Sequence, residues 1–413
     1  MKKYLLLAAL ALCLGALNTI SGQAQTNSTI YACYQKENGQ LRRVSGPGQC
    51  KNSEIPINWS AVGAPGPAGP QGPAGQQGSQ GPQGEKGDPG TPAPFPSNVI
   101  IVAKAGGQFT SVQAAINSIT DASDSNRYLV WVAPGTYNEQ VTVKDFVGLQ
   151  GAGENLTKII SSDPDGTVLT LAQGASLRDL TVEGKDRAIL TYGGDITEVT
   201  ARINTDNKNC IGIFALGGAR LSHVTVKISS TPQVSGGQAV GILNNDAAGV
   251  SVNNSRVEVD SSFGASGGQF LAGRIRDSVF NVASTNSTAV GVHNSNQLTL
   301  DNVTIEANSN ALSIGLEYLG IFLNPLQSTI KNSSITVVGS GQSYGIYMGR
   351  GLLDVQNSEI SAPTNTITVL FQATVRVTHS LLGGGPAVNA AGTTLKCSAV
   401  TDENYDFFAN TCP

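Results

Sequence analysis

Residues 300–305 read Leu-Asp-Asn-Val-Thr-Ile, and this six-residue pattern, with a polar residue in third place, returns along much of the chain. Its copies start at Leu177, Ile196, Leu221, Val252, Ile275, Leu300, Ile330, Val355 and Val377. Successive copies start between 19 and 31 residues apart, with a mean of 25. Because apolar residues alternate with other residues inside each copy, each copy is predicted to be a short strand.

A second pattern, a glycine between two apolar residues, recurs between copies of the first. Its central residues are Gly212, Gly241, Gly291, Gly315 and Gly345. A period in the twenties that is built from short strands indicates a solenoid in which each turn stacks only on its neighbours. Leucine-rich repeats share this period but need a regular Leu/Asn frame that this chain lacks. The variable spacing favours an all-β parallel β-helix, here over residues 97–392, because its loops can lengthen without disturbing the strands.

The third position of the six-residue pattern is polar in every copy. It holds Asp179, Glu198, His223, Asn254, Asp277, Asn302, Asn332, Asn357 and His379. Asparagine tolerates a tight left-handed bend and can hydrogen-bond to an asparagine on the next turn. We therefore expect a stack at the turns that contains Asn254, Asn302, Asn332 and Asn357. The alternative is that these side chains simply face solvent, and neither interpretation makes them catalytic.

Composition and the first residues indicate an exported protein. Charged residues make up 13% of the 413 residues, against about 25% in an average domain. A net charge of −4 gives no electrostatic reason to expect nucleic acid or anionic lipid as a partner. Residues 1–24 have the lysines, short apolar core and small-residue cleavage site of a secretory signal peptide. No later apolar run is long enough for a transmembrane segment, so we expect a secreted, extracellular or cell-surface protein.

The cysteines fit an oxidising compartment. Cys33 with Cys50 and Cys397 with Cys412 could close short loops at the two ends of the chain. The first pair would clamp a small module over residues 25–62, and the second would close a C-terminal cap over residues 393–413. Cys210, next to an Ile-Gly-Ile stretch, is expected to be a buried thiol rather than a reactive one.

Glycine occupies every third position from Gly63 to Gly90, with many prolines between. Residues 63–92 therefore resemble the collagen-like segments of bacterial proteins, because only glycine fits the axis of three wound chains. The resemblance implies a parallel homotrimer. The alternative is a stiff polyproline spacer on a monomer.

Residues 99–160 carry a second resemblance. A strand at 98–102 precedes an amphipathic helix at about 110–119, with Thr110 or Ser111 as its N-cap. Residues 129–139 then read Leu-Val-Trp-Val-Ala-Pro-Gly-Thr-Tyr-Asn-Glu. This segment is similar to the start of pectinesterase-like and pectate-lyase-like proteins, which implies a single-stranded right-handed parallel β-helix whose open end the helix covers. The resemblance bears on fold more than on activity.

The motifs of those enzymes are mostly missing. Gln238-Ala239-Val240 is followed by glycine, and neither the Gln-Asp pair nor the Asp-Phe-Ile-Phe-Gly sequence of pectinesterases follows it. We therefore carry over no catalytic residue. His223, His293 and His379 fall on separate turns, so no zinc site is expected, and no cofactor is indicated.

Three groups of charged residues are weak candidates for a site. Asp163 and Asp165 could bind a cation, as could Asp402, Glu403 and Asp406, but an ordinary turn and solvated acids are the favoured interpretations. Arg274 and Arg276 adjoin Asp277, where a surface ion pair is favoured over an active site.

Three functions remain open, and one of them is a fibre or appendage component that binds no ligand. The favoured one is a non-catalytic protein whose β-helix presents a surface for polysaccharide or another cell-surface ligand, in adhesion or extracellular structure. The rival is a polysaccharide-active enzyme, an esterase or lyase with a divergent site. Carboxylates and an arginine that converge in one groove would favour the enzyme.

Overall fold

The computed structural model describes residues 29–35, 40–60, 98–207, 209–231, 236–319, 327–404, 406–408 and 411–413. The chain divides into two units, Met1–Pro89 and Gly90–Pro413. The signal peptide predicted for residues 1–24 and the collagen-like segment predicted for residues 63–92 lie outside the described residues, so both stay predictions. Among the described residues, no helix combines the length and the apolar character needed to cross a bilayer.

The first unit contains a three-stranded antiparallel sheet in which Thr29–Gln35 lies between Leu41–Val44 and Glu54–Ser60. A short 3-10 helix, Pro47–Gln49, leads to Cys50, which forms a disulfide with Cys33. The Cys33 side chain is fully buried. So small a sheet can bury little apolar area, and the covalent link is the expected clamp for it.

The second unit is a right-handed, single-stranded parallel β-helix, as the repeats predict. Each coil contributes strands to three parallel sheets, and four long strands bend and run through more than one sheet. These four are Ser176–Gly184, Asp195–Thr205, Gly264–Ser284 and Thr288–Ser309. Their pairing with strands of both neighbouring coils connects the three sheets.

Sheet 1 holds the glycine pattern. Besides the first parts of the last two long strands, it consists of Val141–Val143, Thr167–Leu171, Arg187–Thr191, Asn209–Ala215, Gln238–Asn244, Leu312–Tyr318, Gln342–Met348, Asn365–Val369 and Ala387–Asn389.

Sheet 2 comes next along each coil. Besides segments of all four long strands, it consists of Val99–Val102, Tyr128–Val132, Val147–Gly151, Arg220–Ser222, Val250–Asn253, Gln327–Lys331, Gly351–Gln356, Ala373–Thr378 and Thr394–Ser398.

Sheet 3 completes the coil. Besides the last parts of all four long strands, it consists of Gly135–Asn138, Thr157–Ile160, Thr225–Ser230, Arg256–Ser261, Ser334–Val338, Glu359–Ala362, Leu381–Gly384 and Val400–Asp402. Inward side chains of the three sheets form one continuous apolar core of mostly valine, isoleucine and leucine.

A short helix, Val112–Ser118, packs beside the first strands of the β-helix. Its apolar face places Val112, Ala115 and Ile116 in the core. The Ser111 side chain caps the first turn, as one of the two predicted N-caps. The Glu139 carboxylate, from the strand region, accepts hydrogen bonds from the Val112 and Gln113 amides at 2.8 and 3.0 Å. The helix N-terminus is therefore satisfied by both residues.

The bend between sheets 2 and 3 falls on the polar third position of the repeat. All nine of those residues, Asp179 to His379, have φ between 47° and 59°. This left-handed conformation is one that asparagine and aspartate adopt more readily than most residues do. The repeat therefore encodes the bend itself, and the same bend at each coil keeps the sheets in register.

A row of buried serines follows these bends. Ser255, Ser278, Ser333, Ser358 and Ser380 come directly after the left-handed residue, and each is at most 6% exposed. The hydroxyl of Ser333 accepts from the Val303 amide of the preceding coil at 3.1 Å and donates to the Lys331 carbonyl at 2.6 Å. Ser358 makes the same pair of contacts one coil further on. The hydroxyls thus satisfy buried amides that the bend removes from the backbone ladder.

A row of glycines lets the backbone of sheet 1 lie close to side chains of sheet 3. Its members are Gly212, Gly241, Gly267, Gly291, Gly315 and Gly345. A Cβ on Gly345 would lie 2.5 Å from Ile360 Cγ2 and 2.5 Å from the Thr366 carbonyl oxygen. Any larger residue there would force two coils and two sheets apart.

The C-terminal residues close the last coil. Phe407–Phe408 pairs antiparallel with Val400–Asp402, and Cys397 forms a disulfide with Cys412. Both disulfides therefore join the pairs of cysteines expected from the sequence. The antiparallel pairing gives the last strand of sheet 3 a partner that cannot propagate the parallel stack.

The serine row predicts a specific loss of stability. Replacing Ser333 with alanine would leave the buried Val303 amide without its acceptor, so we expect a loss of about 1–3 kcal/mol in the free energy of unfolding. Urea denaturation measures it. Ser340→Ala, at an exposed turn position, is the control and should change little. Equal stability of the two variants would contradict the role given to the serine row.

Candidate polysaccharide-binding groove

The outward face of sheet 3 carries an open groove of about 740 Å³. Its floor is a row of side chains, one from each of six successive coils: Glu183, Arg202, Lys227, Glu258, Asn281 and Glu306. Parallel strands in register lie about 4.8 Å apart, so the row extends for about 24 Å. A second outward row beside it contributes Asn204, Ser229, Asp260 and Asn308.

Ion pairs organise the middle of the groove. Lys227 Nζ lies 3.0 Å from Glu258 Oε2, and the Arg256 guanidinium donates to the other oxygen of the same carboxylate. The hydrogen bond from Arg256, together with the one from Lys227, lowers the pKa of Glu258. Glu258 is therefore a firmly ionised carboxylate at neutral pH.

The remaining polar groups of the groove are open to a ligand. Arg202 is exposed and forms no ion pair with any residue that the structure describes. Asn281 and Asn308 add amide donors and acceptors. No aromatic side chain lines this groove among the described residues. A ligand here would be held by hydrogen bonds and charge and not by ring stacking.

The groove contains both carboxylates and an arginine, the combination that would favour an enzyme. Hydrolysis of a glycosidic bond needs one carboxyl group with a raised pKa. Glu258 has a lowered pKa instead. Asp186, whose pKa is raised first of all by burial, lies outside the groove. The arrangement is suited to binding a polar polymer.

Three of the four turn-stack candidates, Asn302, Asn332 and Asn357, line a second concavity of about 680 Å³. Asn357 Nδ2 donates to Asn332 Oδ1 at 2.8 Å, which is the expected contact along a stack. The other contacts reach acidic neighbours: Asn302 donates to Asp277 at 2.7 Å and Asn332 to Asp301 at 3.0 Å. Asn254 shares the left-handed bend, and its backbone amide donates to the Arg276 carbonyl. These contacts tie coils together.

Cys210 lies in the core at 1% exposure. Burial raises the pKa of this thiol to about 12. A thiol that stays protonated at neutral pH is a poor nucleophile, which agrees with the expectation of a buried, unreactive cysteine.

The weak candidates from the sequence have structural roles. The Asp163 carboxylate accepts from the Asp165 amide at 3.2 Å, which is an ordinary turn contact. Asp402 likewise accepts from the amides of Asn404 and Asp406 at 3.0 and 2.8 Å. The surface ion pair expected for Asp277 is wrong, because neither Arg274 nor Arg276 pairs with it in the described residues, and Asp277 accepts from Asn302 instead.

Among the described residues, the one group of three metal-ligating side chains in close contact is Cys33, Cys50 and Glu54. The two cysteines are joined in a disulfide and so offer no thiolate.

No protein-family model and no curated protein matches this chain. Solved structures do match it, and they include several enzymes and phage proteins.

Three of these structures illustrate the kinds of protein that match. Pectin methylesterase from Aspergillus niger is 14% identical, covering 76% of this chain and 88% of its own, with a TM-score of 0.31. The A-module of a mannuronan C-5 epimerase from Azotobacter vinelandii is 15% identical, covering 70% and 89%, with a TM-score of 0.37. Tailspike protein 3 of bacteriophage CBA120 is 13% identical, covering 74% and 58%, with a TM-score of 0.44. At such identities the likeness concerns the fold alone.

The groove was not foreseen from the sequence. Its residues are the outward positions of the sheet 3 segments, which alternate with the apolar positions that define the repeat. Aligning the copies of the repeat would place Lys227, Glu258, Asn281 and Glu306 in one row, so the signal was present.

The paired state of Glu258 predicts a pH dependence. A carboxylate whose folded pKa lies below its unfolded value of about 4.3 stabilises the fold above that value and loses the contribution as the pH falls through the folded pKa. Glu258→Gln should therefore be less stable than the unmodified protein at pH 7, and the difference should shrink in acid. Urea midpoints at pH 7 and pH 3 test this.

Glu359→Gln on the same sheet is the matched control, because the Glu359 carboxylate makes no ion pair with the described residues. A difference between Glu258→Gln and the unmodified protein that stays constant with pH would contradict the ion-pair account.

Proposed function

We propose that this chain is an exported polysaccharide-binding protein in which the groove of sheet 3 binds the polymer without cleaving it. The observation that carries the proposal is the continuous outward row of polar and charged side chains over six coils. A linear polymer with repeating hydroxyl or carboxylate groups can contact successive coils in an equivalent way. Adhesion or attachment to an extracellular matrix is the role that such binding would serve.

Several features support export and extracellular use. The two disulfides are typical of proteins in an oxidising compartment. Residues 1–24 are expected to direct secretion. A low content of charge and an extended rigid stack of strands suit presentation of a binding face outside the cell.

The groove indicates which polymers fit it. Arg202 and Lys227 lie on adjacent coils and could contact a carboxylate of a uronic acid unit. Glu183, Glu258, Asp260 and Glu306 add acceptors for sugar hydroxyl groups. Because carboxylates outnumber cations there, we expect weak binding of highly charged polyanions and better binding of neutral or sparsely charged polysaccharide.

Binding can be measured by affinity electrophoresis against neutral glucan, highly esterified pectin and fully de-esterified pectin. The double variant Arg202→Ala/Asn281→Ala removes one charged and one neutral hydrogen-bonding group, so we expect affinity for the bound polymer to fall about tenfold or more. Arg350→Ala/Asn389→Ala, which replaces two exposed residues outside the groove, is the matched control. Absence of binding by the unmodified protein, or equal loss in both variants, would contradict the proposal.

The collagen-like segment predicts oligomerisation. We expect residues 63–92 to assemble three parallel chains, since the strict glycine period is suited to a triple helix, and three grooves would then raise avidity. Light scattering should give a trimeric mass for the full protein and a monomeric mass after deletion of residues 63–92. A monomer in both cases would leave the segment as a spacer.

A further inference from the structure

Three side chains at the outward face of sheet 1 are joined by hydrogen bonds: His293 and Glu317 lie in the sheet, and Ser295 directly follows its last paired residue, Asn294. His293 Nδ1 lies 2.7 Å from Glu317 Oε2, and His293 Nε2 lies 3.0 Å from Ser295 Oγ. The histidine and glutamate side chains are 24% and 20% exposed, so these hydrogen-bonded side chains are partly shielded from water. They lie at a different sheet from that of the groove and are not used in polysaccharide binding.

The fold fixes this arrangement. His293 and Ser295 are two residues apart on one strand, so both side chains face outward. Glu317 is the direct partner of His293 on the next coil. Gln269 is its direct partner on the preceding coil. Register therefore places a carboxylate, an imidazole and an amide in one row, with the serine hydroxyl beside the imidazole.

The two contacts are compatible with one tautomer of the imidazole ring, in which the proton is on Nδ1. An ionised carboxylate can only accept, so Nδ1 carries the proton that is donated to Glu317. In that tautomer Nε2 has its lone pair towards Ser295 and accepts the hydroxyl proton. A serine, a histidine that accepts from it and an acid that orients the histidine are the groups that activate a serine as a nucleophile on unrelated folds.

We propose that Ser295, His293 and Glu317 form a second functional site that hydrolyses short-chain acyl esters. In the first half, Ser295 Oγ bonds to the ester carbonyl carbon while its proton passes to His293 Nε2. The bond to the leaving alcohol then breaks, and the alcohol takes that proton. In the second half, water attacks the acyl group and gives a proton to Nε2, and the acyl bond to Oγ breaks as Oγ is reprotonated. The products are an alcohol and a carboxylic acid.

The neighbouring cavity limits the substrate. It has a volume of about 200 Å³ and is lined by Gln238, Ser266, Gln269, Val290, His293 and Glu317. Ser295 is not part of that lining and lies beside the cavity through its contact with His293 Nε2. Ligand pockets for larger molecules usually measure about 300–1,000 Å³, so an acyl group on Ser295 that enters this cavity must be short. The Gln269 amide is a further hydrogen-bonding group in the lining of this cavity.

A second serine–histidine pair in the protein serves as a control for the proposed site. Ser222 Oγ lies 3.0 Å from His223 Nδ1 on another coil, which is a similar serine–histidine contact. His223 has no carboxylate partner among the described residues. If proximity to a histidine were enough, both serines would react, whereas the proposed site requires the carboxylate and so predicts reaction at Ser295 alone.

The test uses the full-length protein, a fluorophosphonate probe and p-nitrophenyl acetate. Mass spectrometry should find the phosphonate on Ser295 and not on Ser222. Ser295→Ala and His293→Gln should each lower the rate of acetate ester hydrolysis by about a hundredfold or more. Glu317→Gln should lower that rate in the same direction, and Ser222→Ala should leave it unchanged. p-Nitrophenyl octanoate should react more slowly than the acetate.

An unlabelled Ser295, equal labelling of Ser222, or a hydrolysis rate in Ser295→Ala equal to that of the unmodified protein would overturn the inference. Unfolding midpoints check that the half-buried Ser295 and His293 variants are folded. Polysaccharide affinity of the Ser295→Ala protein should be unchanged, so failure of this site and failure of the groove are distinguishable.

Discussion

The β-helix depends on a single backbone constraint, the left-handed bend that every full repeat makes at the same point between sheets 2 and 3. Nine polar residues adopt it with nearly the same φ. Each bend turns the strand without adding a loop, so the next segment begins in register with the coils on both sides. A β-branched residue at this position would be strained, and the loss of register would move apolar side chains out of the core.

The bend also leaves a buried backbone amide without an acceptor in the sheet, and the buried serines supply that acceptor. Turning the chain removes an amide from the parallel ladder while leaving it inside the stack, where water cannot reach it. A serine hydroxyl on the next coil supplies the acceptor and keeps its own proton bonded two residues back. Val303 interrupts the row, yet its own amide still finds the Ser333 hydroxyl. The polar row therefore runs through an otherwise apolar interior.

Local features of this structure could be predicted directly, whereas contacts between coils can be predicted only after the copies of the repeat are aligned. The period of the repeat, the left-handed position and the two disulfide pairs each depend on residues that are close in sequence. His293 and Glu317 are separated by 24 residues, and the number of residues per coil varies. Their contact can therefore be predicted only when the register between the two coils is known. The glycine row supplies that register: His293 and Glu317 each follow a stacked glycine, Gly291 and Gly315, by two residues.

The division between inward and outward rows explains how one fold can carry two separate sites. Inward rows are constrained by packing, because each side chain contacts the coils above and below it. Outward rows meet solvent, and their only geometric constraint is the spacing of the coils. A row of sheet 3 can therefore become a groove and a row of sheet 1 a hydrogen-bonded triad, since neither changes a core residue. Because the two rows lie on different sheets and share no side chain, a change in one site should leave the other intact.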